Sequence, residues 1–254
     1  MWQWAPLGGF MATTERLTQL DKALLGLRSL IMGGAFEANS RLPEVALSER
    51  LGISRTPLRQ AMDRLVAEGL LERIETGGCR VARFTIDDIS DAIEMRGVIE
   101  GTAARLAAER GADPALLAEA DRVLLGLDEA LARAGGIDFD AYVRLNARFH
   151  DLLARLSGSA VVRREVERVC RLPLASPSAF LQQQELIPDF RASLVRAQGQ
   201  HRAILAAIRA REGARAEALA REHARLAREN LDHLSKAGPG VATRVPGLAL
   251  VAAD

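Results

Sequence analysis

Between Arg41 and Val81 the chain runs RLPEVALSERLGISRTPLRQAMDRLVAEGLLERIETGGCRV, and no other stretch restricts its fold as much. Glu44 to Leu51 reads as a short helix, with Pro43 near its start, where a missing N–H costs little. Gly52 stands just past its end, where a left-handed residue is wanted. Ser54 then caps a second helix whose apolar stripe is Leu58, Ala61, Met62 and Leu65. Gly69 stops that helix, and Leu71 to Arg83 reads as two short strands around Gly77-Gly78. Two helices joined by a tight turn and followed by a wing form an arrangement that reads duplex DNA.

The spacing of the second helix names its contact residues. With the stripe turned inward, Arg55, Thr56, Arg59 and Gln60 fall on the opposite side. Arginine forks onto guanine, and Thr and Gln reach bases or phosphate. Ser54 and Thr56 add hydroxyls and free N–H groups at the helix start, where phosphate binds. Arg41, which leads the stretch, is counted with them, as are Gly77 and Gly78 at the wing tip.

These residues carry a family resemblance. SRTPLRQAMDRLVAEGLL, preceded by ALSERLGI, resembles the winged helix-turn-helix of the GntR family of bacterial transcription factors, and the likeness extends from about Leu17 to Leu234. It implies that Arg55 and Arg59 read bases in the major groove, with Thr56 in support, while Gly77 and Gly78 approach the minor groove. Many relatives carry Val in place of Leu58 and Glu in place of Gln60; neither difference bears on DNA binding.

Charge and cysteine content fit a selective reader better than a coating protein. The 254 residues sum to a net charge of +1, and 48% are hydrophobic, ample for one or two cores. Residues 1–83 hold 11 Lys and Arg against 9 Asp and Glu, so the basic groups must act by placement rather than by bulk field. Cys79 and Cys170 fall in different domains, which argues against a disulfide framework and suits a reducing cytosol. A cytoplasmic protein, on the nucleoid when DNA-bound, is expected. Cys79 on the wing reads as an incidental small residue rather than a redox sensor. No apolar run approaches the ~20 residues of a membrane helix. The opening MWQWAPLGGF lacks a basic leader, so it does not read as a signal peptide. It is a tag, an upstream start or an arm.

The expected organisation is a loose arm over 1–16, a winged helix-turn-helix over 17–84, an all-helical domain over 85–235 and a disordered Gly/Pro-rich tail over 236–254. Thr85 and Asp88 form a capping box, so the second domain starts helical almost at once. Periodicity gives helices near 86–110, 114–134, 138–156, 159–172, 192–211 and 214–235. Pro114, Gly135-Gly136, Gly158 and Gly213 punctuate them, and LPLASPSAFLQQQELIPDF is the one long connection. The fold class is thus mostly α: a winged head and an antiparallel six-helix bundle poor in aromatics. The bundle resembles the FCD ligand-binding domain of the FadR subfamily, and its helix count resembles the VanR-type branch.

Three of the four histidines lie on inward stripes of separate helices. His150 follows Leu145 and Phe149, His201 heads a stripe with Ile204, Leu205 and Ile208, and His223 lies with Leu219, Leu226 and Asn230. His233 reads as surface. Imidazoles arriving from three directions suit a divalent first-row metal, zinc first by ligand type, with nickel or manganese also open. The family resemblance implies an Asp-x-x-x-His pair on one helix and a His on each of two later helices. His150, His201 and His223 match the imidazoles, while Asn146 stands where the family has Asp, removing a negative charge. Arg96 interrupts an apolar stripe of Ile89, Ala92, Ile99, Ala103 and Leu106, so it must be paired. Its partner is either Glu100, one turn on, or the carboxylate of a small molecule held bidentately beside the metal.

The sequence is therefore read as a homodimeric transcriptional regulator and not an enzyme. It would repress a catabolic operon through palindromic double-stranded DNA and release it on binding a small organic carboxylate, an aromatic acid being the first guess. A regulator sensing the ion itself is one alternative. A metal-dependent hydrolase is another, disfavoured because no Asp or Glu pairs with the histidines in the way metallohydrolases require; Asp151 points to a different face from His150.

Overall fold

The structure, a computed structural model, describes residues 18–133, 136–172, 175–178, 190–236 and 250–251. The expected arm over 1–16 lies outside them, as does most of the tail. Two compact units divide the chain near Ile86, the second extending to Val241 and the last residues belonging to the first.

In the first unit, α1 (Gln19–Met32) precedes the two helices read from the sequence. Thr18 and Asp21 cap it reciprocally: the Thr18 hydroxyl accepts from the Asp21 N–H, and the Asp21 carboxylate accepts from the Thr18 N–H, both at 3.1 Å. Its buried face is Ala23, Leu27 and Ile31 at intervals of one turn. Then come α2 (Glu44–Leu51) and α3 (Arg55–Ala67). Gly52 between them takes φ +64°, the left-handed conformation expected of it. Ser54 occupies the N-cap of α3 by backbone conformation, but its side chain makes no capping hydrogen bond. The expected side-chain cap is thus corrected: Ser54 is exposed, and water can satisfy its hydroxyl.

Strands β1 (Leu71–Arg73) and β2 (Cys79–Val81) pair antiparallel, with Leu71 opposite Val81 and Arg73 opposite Cys79. The turn closes through Gly77 N–H to Ile74 O at 2.9 Å, with Gly77 and Gly78 both at positive φ. Leu27, Ile31, Leu47, Leu58, Met62, Leu65, Leu70 and Val81 form the core. Cys79 is buried among them, and that burial pushes its thiol up, which leaves little thiolate for redox chemistry.

Leu250 is fully buried in the same core, its carbonyl accepts from the Phe84 N–H at 3.0 Å, and Val251 bridges Phe84 in parallel. This corrects the expectation of a tail disordered throughout. An apolar residue inside a packed core cannot be read from a local run of Gly and Pro.

The second unit holds six helices among the described residues: α4 (Ile86–Arg110), α5 (Pro114–Ala132), α6 (Phe139–Leu156), α7 (Ala160–Val169), α8 (Phe190–Arg209) and α9 (Gly213–Lys236). Asp113, Asp138 and Ser159 cap α5, α6 and α7 with side-chain oxygens. Leu127, Phe149, Leu152, Ile204 and Ile208 build the core that seats α5, α6 and α8 against one another. Gly97 and Gly101, one turn apart on α4, face α9: a Cβ on Gly97 would lie 2.9 Å from Ala224 Cβ, and one on Gly101 would lie 3.1 Å from Glu217 O. The glycines let the two backbones approach closely, which brings α9 and its histidine inward.

Candidate metal centre and nucleic-acid interface

The α6 sequence FDAYVRLNARFHDLLARL puts Tyr142, Asn146, His150 and Leu153 on one buried stripe at three- and four-residue spacing. His201 of α8 and His223 of α9 meet it from two other directions, 0% and 8% exposed. The Nε2 atoms of His201 and His223 are 3.0 Å apart, and those of His223 and His150 are 3.3 Å apart. Nitrogens bound tetrahedrally at 2.0–2.1 Å around one zinc ion would be separated by ~3.3 Å. The three imidazoles therefore sit at ligand spacing.

What lies behind each ring decides its tautomer. His150 Nδ1 is 2.8 Å from Glu100 Oε1, His201 Nδ1 is 3.1 Å from Gln198 Oε1, and His223 Nδ1 is 3.0 Å from Gln200 Oε1. The Gln198 amide is itself fixed, since its Nε2 donates to Leu124 O at 2.8 Å and Asp128 Oδ1 at 3.0 Å, leaving its oxygen as acceptor. Glu100 is a carboxylate: burial works against its charge, but His150 and Arg96 beside it hold its pKa at about 2. With each Nδ1 facing an oxygen, the arrangement suits Nδ1–H tautomers, whose Nε2 lone pairs turn towards one another. Burial holds His201 well below its ordinary value and His223 at about 3, so both are neutral near pH 7. Three converging lone pairs repel one another and are satisfied by a cation, so the donor set fits a divalent metal.

Glu100 bears on two expectations. A carboxylate does pair with a histidine of the cluster, although it lies on the Nδ1 side of His150, where it orients the ring and does not face the Nε2 centre. It also supplies the local partner of Arg96, whose Nε is 3.5 Å from Glu100 Oε2. Arg96 Nη1 donates to Ala175 O at 2.8 Å and Nη2 reaches Ala224 O at 3.5 Å, while Nε has no hydrogen-bond acceptor. Its terminal nitrogens are engaged with backbone carbonyls. Asn146 is buried beside the cluster, and its Nδ2 donates to Pro177 O and Ser178 Oγ, both at 3.2 Å. His233 is exposed, as read.

Glu100, Gln198 and Gln200 went unassigned as site residues; the first two carried a signal of place, none of them a signal of role. Glu100 lies half-way along the α4 stripe, and Gln198 is a polar residue three positions before His201 on an apolar face. Tyr142, two turns before His150, also escaped, because an aromatic residue on a buried stripe reads as core.

In the first unit Ser54, Arg55, Thr56, Arg59 and Gln60 are all exposed on one side of α3, while Leu58, Ala61, Met62 and Leu65 are buried on the other. Arg59 Nε donates to Glu44 on α2 at 2.8 Å, an exposed pair of the kind that exchanges readily for a phosphate or base. Arg41 Nη2 donates to Gly77 O at 2.9 Å, placing a guanidinium at the wing tip beside Gly78.

A family model described as the FCD domain matches residues 91–226, and one described as bacterial regulatory proteins, gntR family, matches residues 21–81. The chain belongs to the GntR family. Over 143 residues it is 29% identical to the uncharacterized HTH-type transcriptional regulator YdhC of Bacillus subtilis, a match covering 56% of this chain and 62% of that protein, under two thirds of its length. It is 28% identical to the HTH-type transcriptional repressor GlaR of Escherichia coli over 82% of this chain and 92% of that one. Among solved structures, E. coli McbR/YncC superposes with a TM-score of 0.62 at 21% identity, covering 87% and 99% of the two chains, a likeness of fold. Winged head followed by FCD domain is the FadR-subfamily architecture, and the named relatives are regulators rather than enzymes. No helix among the described residues is long and apolar enough to cross a membrane.

Proposed function

We propose that the chain is a sequence-specific DNA-binding transcriptional regulator, a repressor whose hold on its operator is released by a small carboxylate bound at a divalent-metal centre. The observation that carries the DNA half is the exposed row of Arg55, Thr56, Arg59 and Gln60 on α3, seated by a buried stripe on its other side. Ser54 and Thr56 would meet phosphate, the two arginines would fork onto base edges, and Arg41 with Gly77 and Gly78 would lie over the adjacent groove. Two such heads in a homodimer would read an inverted repeat with half-sites about one helical turn apart.

In the helical domain, His150, His201 and His223 would hold the metal, zinc by ligand type, with the Asn146 amide beside them. When bound, the ion supplies a positive charge to which a carboxylate can attach, and a neutral ligand set leaves that charge uncancelled at the first layer. Glu100 holds the His150 ring, Gln198 and Gln200 hold the other two, and Arg96 adds a fixed cation nearby. Switching the protein from mostly bound to mostly released requires the effector to favour the released state by roughly 5 kcal/mol.

Selection from random duplexes with the full chain tests the DNA half. The wild type enriches an inverted repeat, and Arg55→Ala and Arg59→Ala each weaken binding to it by about 1–3 kcal/mol and relax one base position. No enriched sequence, or both variants binding as the wild type does, would reject the assignment.

A further inference from the structure

The two arginines that α3 presents are not equivalent. Arg55 and Arg59 stand about one turn apart on its exposed side, and Arg55 makes no ion pair among the described residues. Arg59 instead meets Glu44, the first residue of α2, with Nε 2.8 Å from Glu44 Oε2. That bond takes one edge of the guanidinium only, and neither Nη of Arg59 has a hydrogen-bond partner among the described residues. A fork onto guanine O6 and N7 uses two N–H groups. Both Nη groups stay free for it while Nε remains with Glu44, so the pair need not open for Arg59 to reach a base.

Glu44 is the better anchored of the two side chains, 24% exposed against 65% for Arg59. Leu47, buried in the core, seats α2, and the Ser48 hydroxyl donates to Ile53 O across the turn into α3. At the first position of α2 the carboxylate is favoured by the free N–H groups of the helix start. A long arginine side chain gives up rotamer freedom when it settles on one base edge. A carboxylate on Nε takes part of that loss before DNA arrives.

We propose that Glu44 is a positioning residue for base readout: it holds the Arg59 guanidinium by Nε, in the free protein and on DNA alike, and sharpens discrimination at the base Arg59 reads. This rests on the reading of α3 as the base-contacting helix. Glu44 also sets a negative charge against the phosphates, so it lowers affinity for every duplex while raising the preference for one base. The two effects separate by experiment, and Arg55 supplies the control within the same helix.

Full-length protein is titrated at fixed salt with the inverted repeat that the wild type selects, with that duplex changed singly along its half-sites, and with a random-sequence duplex. The position read by each arginine is the one that Arg55→Ala or Arg59→Ala relaxes. Glu44→Ala removes acceptor and charge, whereas Glu44→Gln removes the charge and keeps an oxygen that can accept from Nε. Both variants tighten binding to the random duplex by a similar factor. Glu44→Ala lowers discrimination at the Arg59 position about tenfold and leaves the Arg55 position unchanged. It adds no further loss in the Arg59→Ala background, and Glu44→Gln keeps most of the discrimination. Discrimination intact in both variants would reduce Glu44 to a bare charge and overturn the proposal. Equal losses at the Arg55 and Arg59 positions, or Glu44→Gln losing as much as Glu44→Ala, would overturn it as well. No enriched repeat, or no position relaxed by Arg59→Ala, would instead reject the reading of α3 and the proposal with it.

Discussion

Glu100 shows how one buried side chain can do two jobs. With Oε1 on His150 and Oε2 toward Arg96, it fixes a ring and neutralises a guanidinium in the same place. In the proposed metal centre Asn146 brings no negative charge to the ligand layer, and Glu100 keeps one in the layer behind. Glu100→Gln should then lower zinc affinity by about 10–100-fold, as loss of such supporting groups does elsewhere, while Asn146→Asp should raise it; competition with a chromophoric chelator measures both. The same residues set an acid response. His201 and His223 have folded pKa values below the ordinary 6.5, so the unfolded chain binds more protons between about 6.5 and 3. Metal-free protein therefore loses stability as pH falls through that window, and Glu100, at about 2 against 4.5, extends the loss further down. A thermal midpoint that is the same at about pH 7.5 and about pH 5.5 would contradict buried neutral imidazoles.

At the scale of elements, the approach of α4 to α9 depends on glycine. Gly97 has Ala224 Cβ at 2.9 Å and the Arg221 backbone at 3.6 Å from where its own Cβ would be, so a branched side chain there must push backbone, not a flexible tip. Gly97→Val should cost about 1–3 kcal/mol by overpacking, and should weaken zinc binding as well because His223 travels with α9. Calorimetric unfolding with and without zinc separates the two effects. The elements themselves were largely legible. Caps and glycine stops marked α2 and α3, and the six bundle helices follow from the apolar spacing punctuated by Pro114, Gly135-Gly136, Gly158 and Gly213, because those signals are local. The layer behind the histidines was not legible. Gln198 and Gln200 matter only through which ring nitrogen they face, and that depends on three helices meeting. The first helix, α1, was overlooked although Thr18 and Asp21 announce it and Ala23, Leu27 and Ile31 give its period.

For the whole molecule, the return of the chain end to the first unit is the feature that no local pattern predicts. Leu250 is 0% exposed among Leu27, Leu58 and Val81, and its backbone is tied to Phe84. Leu250→Ala should cost the winged unit about 2–5 kcal/mol, the range for a core leucine, and ending the chain after Lys236 should cost about as much. Amide exchange in α1 and α3 reads this unit separately from the bundle; unchanged protection in both variants would show that Leu250 contributes nothing to the core.

The claim that ties these scales together is that His150, His201 and His223 form one cation site. Metal content by mass spectrometry, on the wild type and on His150→Ala and His201→Ala after incubation with zinc and dialysis, tests it most directly. The account predicts about one zinc per wild-type chain, lost in both variants while the helical content is kept. Wild-type protein that retains no metal, or variants that retain it undiminished, would contradict it.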